Sequence, residues 1–221
     1  MLIVRRTLLA VLTLVAITGC SSDEEEPDTP PVVQLGPPGE TGTPLTEEEI
    51  AELEETSYTD ADVAFVQNMI PHHEQALVMT DLVADRTGRD DLPQLAERMD
   101  VSQRDEIALM ERWLEDRGEQ VPDASAGHDH GDGELMPGML TEDDLARLEA
   151  ASGRAFDELF LQYMIRHHEG ARVMVAELLS GGEGGQESDV FQLAQHIDSD
   201  QSIEIARMKS LLAEIAASSP S

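Results

Sequence analysis

Cysteine is nearly absent: Cys20 is the only one in 221 residues. A single thiol closes no intrachain disulfide and builds no thiolate metal cluster, so metal chemistry must fall to histidine, methionine and carboxylates. Basic residues are also few. The 14 Lys and Arg face 46 Asp and Glu, for a formal net charge of −32. That balance argues against nucleic acid and anionic membrane surfaces as partners, and it attracts cations without selecting among them. There is little strand-like alternation, which points to an all-α chain. No phosphate-binding loop and no nucleophile motif is present, so the expectation is a protein that is not an enzyme.

The one long apolar run, "TLLAVLTLVAIT" at 7–18, is too short to span a bilayer comfortably. It follows the basic start "MLIVRR" and ends at "ITGC", which reads as a bacterial lipobox with cleavage before Cys20. The expected organisation is a signal peptide over 1–19, then a lipidated Cys20 and disordered tether over 20–45. That tether is rich in Pro, Gly and acid. The expected location is the outer face of the cell membrane, held by the lipid anchor only.

The rest of the chain repeats itself. "TEEEIAEL" at 46–53 matches "TEDDLARL" at 141–148, and both open with a capping box. "DVAFVQNMIPHHEQALVM" at 62–79 matches "DELFLQYMIRHHEGARVM" at 157–174. "QLAERMDVSQRDEIALM" at 94–110 matches "QLAQHIDSDQSIEIARM" at 192–208. A first helical repeat over 46–118, a linker over 119–140 and a second repeat over 141–217 follow. Long helices are predicted near 60–86, 93–117, 154–180 and 189–216. Neither hairpin buries its apolar face alone, so the two together predict a four-helix bundle built from tandem helical hairpins.

Histidine and methionine concentrate in this repeat. At about 100° per residue, Phe65, Met69, His72, His73, Ala76 and Met79 share one apolar face, about a third of the helix circumference wide. Phe160, Met164, His167, His168, Ala171 and Met174 do the same in the second repeat. On the partner helices the stripes are Met99, Gln103, Glu106, Ile107, Met110 and Ile197, Gln201, Glu204, Ile205, Met208. Burying so many polar groups is costly unless they pair or bind metal. Methionine stripes also fill cores, and His72/Glu106 and His167/Glu204 are the expected pairs if the role is structural.

The candidate metal ligands are Met69, His72, His73, Met79, Glu106, Met110, Met164, His167, His168, Met174, Glu204 and Met208. A second, flexible site is expected in the linker from His128, His130, Met136 and Met139. Ferritin-like di-iron bundles carry Glu-x-x-His. Here Met-x-x-His stands in that place, and thioether with imidazole favours Cu(I) over Cu(II), with iron as the less favoured metal.

At these motifs the sequence resembles the domain of unknown function 305 family, also called CopM-like, within the ferritin-like superfamily. The resemblance spans 46–216. It implies a helical bundle in an exported protein and a link to copper binding and resistance. The chain carries Asn68 and Tyr163 where that family often has Asp before Met-Ile, and Arg166 in the place of Pro71.

The leading expectation is an exported, membrane-anchored copper-binding protein that sequesters copper ions or transfers them to a partner protein. The alternatives are a ferritin-like oxidase of Cu(I) or Fe(II), with Glu106, Glu204, His72 and His167 as its centre, and a structural module that binds no metal.

Overall fold

The computed structural model describes residues 33–34, 42–54, 57–122 and 135–218. Cys20, His128 and His130 lie outside them. The chain divides into two compact units, Met1–Ala51 and Glu52–Ser221. In the first, β1 (Val33–Gln34) pairs antiparallel with β2 (Thr43–Pro44). Helix α1 (Glu47–Glu54) opens with the expected capping box: Glu49 N–H donates to Thr46 Oγ1 at 3.3 Å, and Thr46 N–H donates to Glu49 Oε2 at 2.9 Å.

The second unit is all-α. It holds α2 (Asp60–Asp81), the short α3 (Val83–Arg86), α4 (Leu92–Asp116), α5 (Glu142–Ala150), α6 (Gly153–Ser180) and α7 (Ser188–Ala217). Helices α2 and α4 form one hairpin and α6 and α7 the other; α2 packs along α6, while α4 meets α7 only briefly. The bundle is therefore closed on its α2–α6 side and open between α4 and α7. Among the described residues no helix is long and apolar enough to cross a membrane.

The two repeats clamp each other through one carboxylate each. Asp62, fully buried, caps α2 with Thr59 and also accepts the Gly185 N–H from the α6–α7 loop. Its counterpart Asp157, 2 % exposed, accepts the Thr87 hydroxyl at 2.6 Å and the Gly88 N–H at 3.3 Å from the α3–α4 loop. Each long helix thus begins by gripping the far loop of the other repeat, which makes α2 and α6 run antiparallel.

The core follows from this pseudo-symmetric pairing. It splits into two apolar clusters. One holds Met79, Met99, Met164 and Met208 around Phe156 and Phe160. The other holds Met69, Met110, Met136, Met139 and Met174 around Phe65 and Trp113. Along all four long helices the order is one cluster, then buried polar residues, then the other cluster. A polar layer therefore cuts the bundle at mid-height.

Truncating Asp157 leaves a loop N–H and a hydroxyl without their acceptor. Asp157→Ala is expected to cost about 1–3 kcal/mol, read as a lower denaturant midpoint at unchanged m-value.

Candidate metal centre

The polar layer consists of His72 and His73 from α2, His167 and His168 from α6, Gln103 and Glu106 from α4, and Gln201 and Glu204 from α7. The four imidazoles are at most 1 % exposed. These side chains point inward, as the helical period predicts; of the two partner-helix stripes, only Ile107 and Glu204 are half-buried rather than buried. Pro71 lies inside α2 immediately before His72. It lacks the N–H that the Gln67 carbonyl would accept, a departure from regular helix that costs about 3 kcal/mol in an unsupported context.

The pairing differs from the expected one. Glu106 bonds His73 Nε2 at 2.7 Å and Glu204 bonds His168 Nε2 at 2.6 Å. The second histidine of each pair, not the first, meets the carboxylate. The reason is rotational: one residue is about 100° of helix, and the second histidine is the one turned toward the hairpin partner. The first histidine is turned toward the other repeat. His72 and His167 meet across the α2–α6 seam with ring centroids 3.9 Å apart.

This arrangement leaves basic nitrogens without partners. The carboxylates take the Nε2–H of His73 and His168, and the Pro137 carbonyl accepts the Nε2–H of His72 at 3.0 Å. Each Nδ1 then carries a lone pair, and the Nδ1 atoms of His72, His73 and His168 have no hydrogen-bond partner. Both ring nitrogens of His167 are likewise unpartnered, as are the side-chain oxygens of Gln103 and Gln201. Metal-ligating histidines show this pattern, one ring nitrogen held by an oxygen acceptor and the other left to ligate.

The thioethers border the layer unequally. Met69 and Met110 stand one turn from His73 and Glu106; Met164 and Met208 stand one turn from His168 and Glu204. Met79 and Met174 are two turns from the histidines of their own helices, and each belongs to the cluster beside the other repeat. Met99 borders Gln103 in the same way and was not among the candidate ligands. Among the described residues no group of three or more His, Cys, Asp and Glu is placed to hold a metal ion. The thioethers beside the layer are soft donors, which suit Cu(I) or Ag(I) better than a hard cation.

Met136 and Met139 do not stand in a flexible linker site. They are 7 % and 6 % exposed and sit in the apolar cluster with Met69, Met110 and Met174. Residues 136–140 form a strap across the α2–α6 seam. Its Leu140 exchanges two bonds with Gln75: Leu140 N–H to Gln75 Oε1 at 2.7 Å and Gln75 Nε2 to Leu140 O at 3.0 Å. The strap escaped the sequence reading because its anchors, Gln75 and Gly170, look ordinary. The only signal was that these two residues occupy the same position of the repeat and differ.

On the opposite side, a groove of 540 Å³ opens between α4 and α7. Asp105, Glu106, His196 and Asp200 line it, with Leu109 and Trp113. Burial, and then the charges of Glu106 and Glu204, raise the Asp200 carboxyl above its ordinary pKa. Glu106, which holds His73, is therefore also part of the wall of this groove.

Burial, reinforced by the charge of neighbouring His73, holds the His72 pKa down to about 3. Burial and the charges of His72, His168 and His73 hold His167 well below its usual value. Both stay neutral in the fold and gain protons only on unfolding below about pH 6.5. Their folded pKa values are depressed, so the unfolded state binds more protons and stability falls as pH drops from 6.5. Metal-free protein is expected to lose melting temperature between pH 6.5 and 4.5, above the range of ordinary carboxylates. His167→Leu removes an imidazole without a partner, so it is expected to leave stability at pH 7 unchanged or raised and to flatten that acid limb.

Three comparisons bear on this architecture. A DUF305 fragment from Deinococcus radiodurans superposes with TM-score 0.61 at 30% identity, covering 71% of this chain and 98% of that one. A DUF305 protein of Streptomyces coelicolor, proposed to be secreted, gives 0.62 at 28%, covering 71% and 94%. CopM in its Cu(II)-bound form gives 0.58 at 28%, covering 69% and 96%; CopM has also been solved with Cu(I) and with Ag. No curated protein matches the chain. The sequence model of DUF305, a domain of unknown function, matches residues 43–212, and the chain belongs to that family.

Proposed function

We propose that this protein binds a soft metal ion, Cu(I) ahead of Cu(II), within the histidine–methionine layer, and that it holds copper or passes it on outside the cell. One observation carries the reading: the layer buries five imidazole nitrogens without partners, flanked within a turn by thioethers. Each such atom costs about 1–3 kcal/mol when left unpaired. A repeat that retains them in both copies spends stability on something other than packing.

Two half-sites follow from the pseudo-symmetry. His73 Nδ1 with Met69 and Met110 makes one, and His168 Nδ1 with Met164 and Met208 the other. Glu106 and Glu204 act behind them, fixing ring orientation and raising the basicity of the ligating nitrogen. His72 and His167 lie between the two. The α4–α7 groove, where five carboxylates outnumber Arg112 and Arg117, supplies an approach for cations. The likeness to CopM, solved with copper and silver, supports the same reading.

Binding rather than turnover belongs to this proposal. The oxidase alternative asks for the Glu-x-x-His of di-iron bundles, and this chain has Met-x-x-His in that place. Export and lipidation of Cys20 belong to it too, supported by the leader-like start and by a relative proposed to be secreted.

An anaerobic Cu(I) titration against a chromophoric chelator tests the metal reading, with Zn(II) and Fe(II) as controls. Competition at one or more equivalents is expected, and His72, His73, His167 and His168 changed together to Ala should abolish it. Wild-type protein that never competes would make the layer structural. Separately, labelled palmitate fed to the producing cells is expected to mark the protein, and Cys20→Ser to lose the label.

A further inference from the structure

The strap is built into the layer more closely than a connection between repeats requires. Gly138 takes φ +78, a backbone conformation open mainly to glycine. A Cβ on Gly138 would lie 2.5 Å from the Arg166 carbonyl oxygen and 2.8 Å from Gly170 Cα. A Cβ on Gly170 would run into the Pro137 carbonyl. Two glycines therefore let the Pro137 peptide press onto α6 beside His167. On the other helix Gln75, at the position equivalent to Gly170, fastens Leu140 from both sides. At this position the two repeats differ in a way that serves the strap: one copy has the latch, the other the gap.

The Pro137 carbonyl then accepts the His72 Nε2–H. The strap gives His167 no such acceptor: its ring nitrogens make no hydrogen bond of good geometry and face only the His72 backbone. The strap therefore selects one tautomer of one of two imidazoles that meet at equivalent positions of the repeat.

We propose that the 136–140 strap, seated by Gln75 and Gly170, is a positioning element for metal binding: its Pro137 carbonyl fixes His72 with the proton on Nε2 and the ligating lone pair on Nδ1, and so makes the layer unsymmetric. The inference rests on the soft-metal reading of the layer. A carbonyl in this role does for His72 what Glu106 does for His73. Strap docking and metal occupancy then favour each other by the same factor.

The test uses two variants that remove no proposed ligand. Gly170→Ala wedges the Pro137 carbonyl away; Gln75→Leu keeps the volume and deletes both Leu140 bonds. In metal-free wild type, nitrogen-15 shifts should show His72 protonated on Nε2, and the Leu140 amide should exchange slowly. Both variants should mix the His72 tautomers, speed exchange at Leu140 and weaken Cu(I) binding roughly 10–100-fold, the usual effect of removing such a support. Folding is checked by circular dichroism, and Gln75→Leu carries the test if Gly170→Ala does not fold. Wild-type affinity in a folded variant whose strap exchanges freely would overturn the inference and leave the metal reading standing. A wild-type His72 protonated on Nδ1 would overturn it without any metal. Wild-type protein that binds no Cu(I) would remove both.

Discussion

Four buried imidazoles share the middle of this bundle, and the arrangement around them is set by what burial does to an imidazole. Desolvation keeps His72 and His167 uncharged, so their tilted rings meet at 3.9 Å without charge repulsion. The same desolvation makes each unpaired ring nitrogen costly. The carboxylates of Glu106 and Glu204 and the carbonyl of Pro137 answer only one nitrogen on each of three rings. The remainder is a set of dry ring nitrogens without partners, near methionine sulfur. Packing alone does not maintain such a set.

The rest of the fold holds that layer in place. Asp62 and Asp157 lock the ends of α2 and α6 to the opposite repeat's loops, which aligns His72 with His167 at mid-helix. The two methionine-containing clusters then close above and below. Each cluster draws a thioether from the far repeat, Met79 on one side and Met174 on the other. The hairpins are therefore interlocked rather than merely adjacent. Only two faces of the layer remain, and they differ in kind: a neutral strap covers the α2–α6 seam, and acidic α4 and α7 leave the other face open to cations.

Much of this was legible in the chain. The spacing of 62–79 against 157–174 gave two equivalent long helices. The 3.6-residue period then turned Met69, His72, His73 and their counterparts inward, because which face of an amphipathic helix is buried depends on local pattern. Which histidine meets Glu106 was not legible. His72 and His73 both fall inside the apolar stripe, and the choice between them rests on where α4 and α6 lie around α2. Met136 and Met139 read as part of a flexible linker site because Pro, Gly and nearby acids dominate their stretch; burial came from the strap's docking.

Sequence by itself determined an all-α repeat with a soft-donor interior, since periodicity and residue chemistry are properties of the chain. Tertiary structure decided the pairing of His73 and His168 with carboxylates, the His72–His167 contact, and the seating of residues 136–140 between Gln75 and Gly170. The physical reason is that hydrogen-bond partners and close approaches depend on helices that lie far apart in sequence. Gly170 shows it most plainly: it breaks no helix and carries no chemistry, and its missing Cβ matters only because Pro137 arrives there.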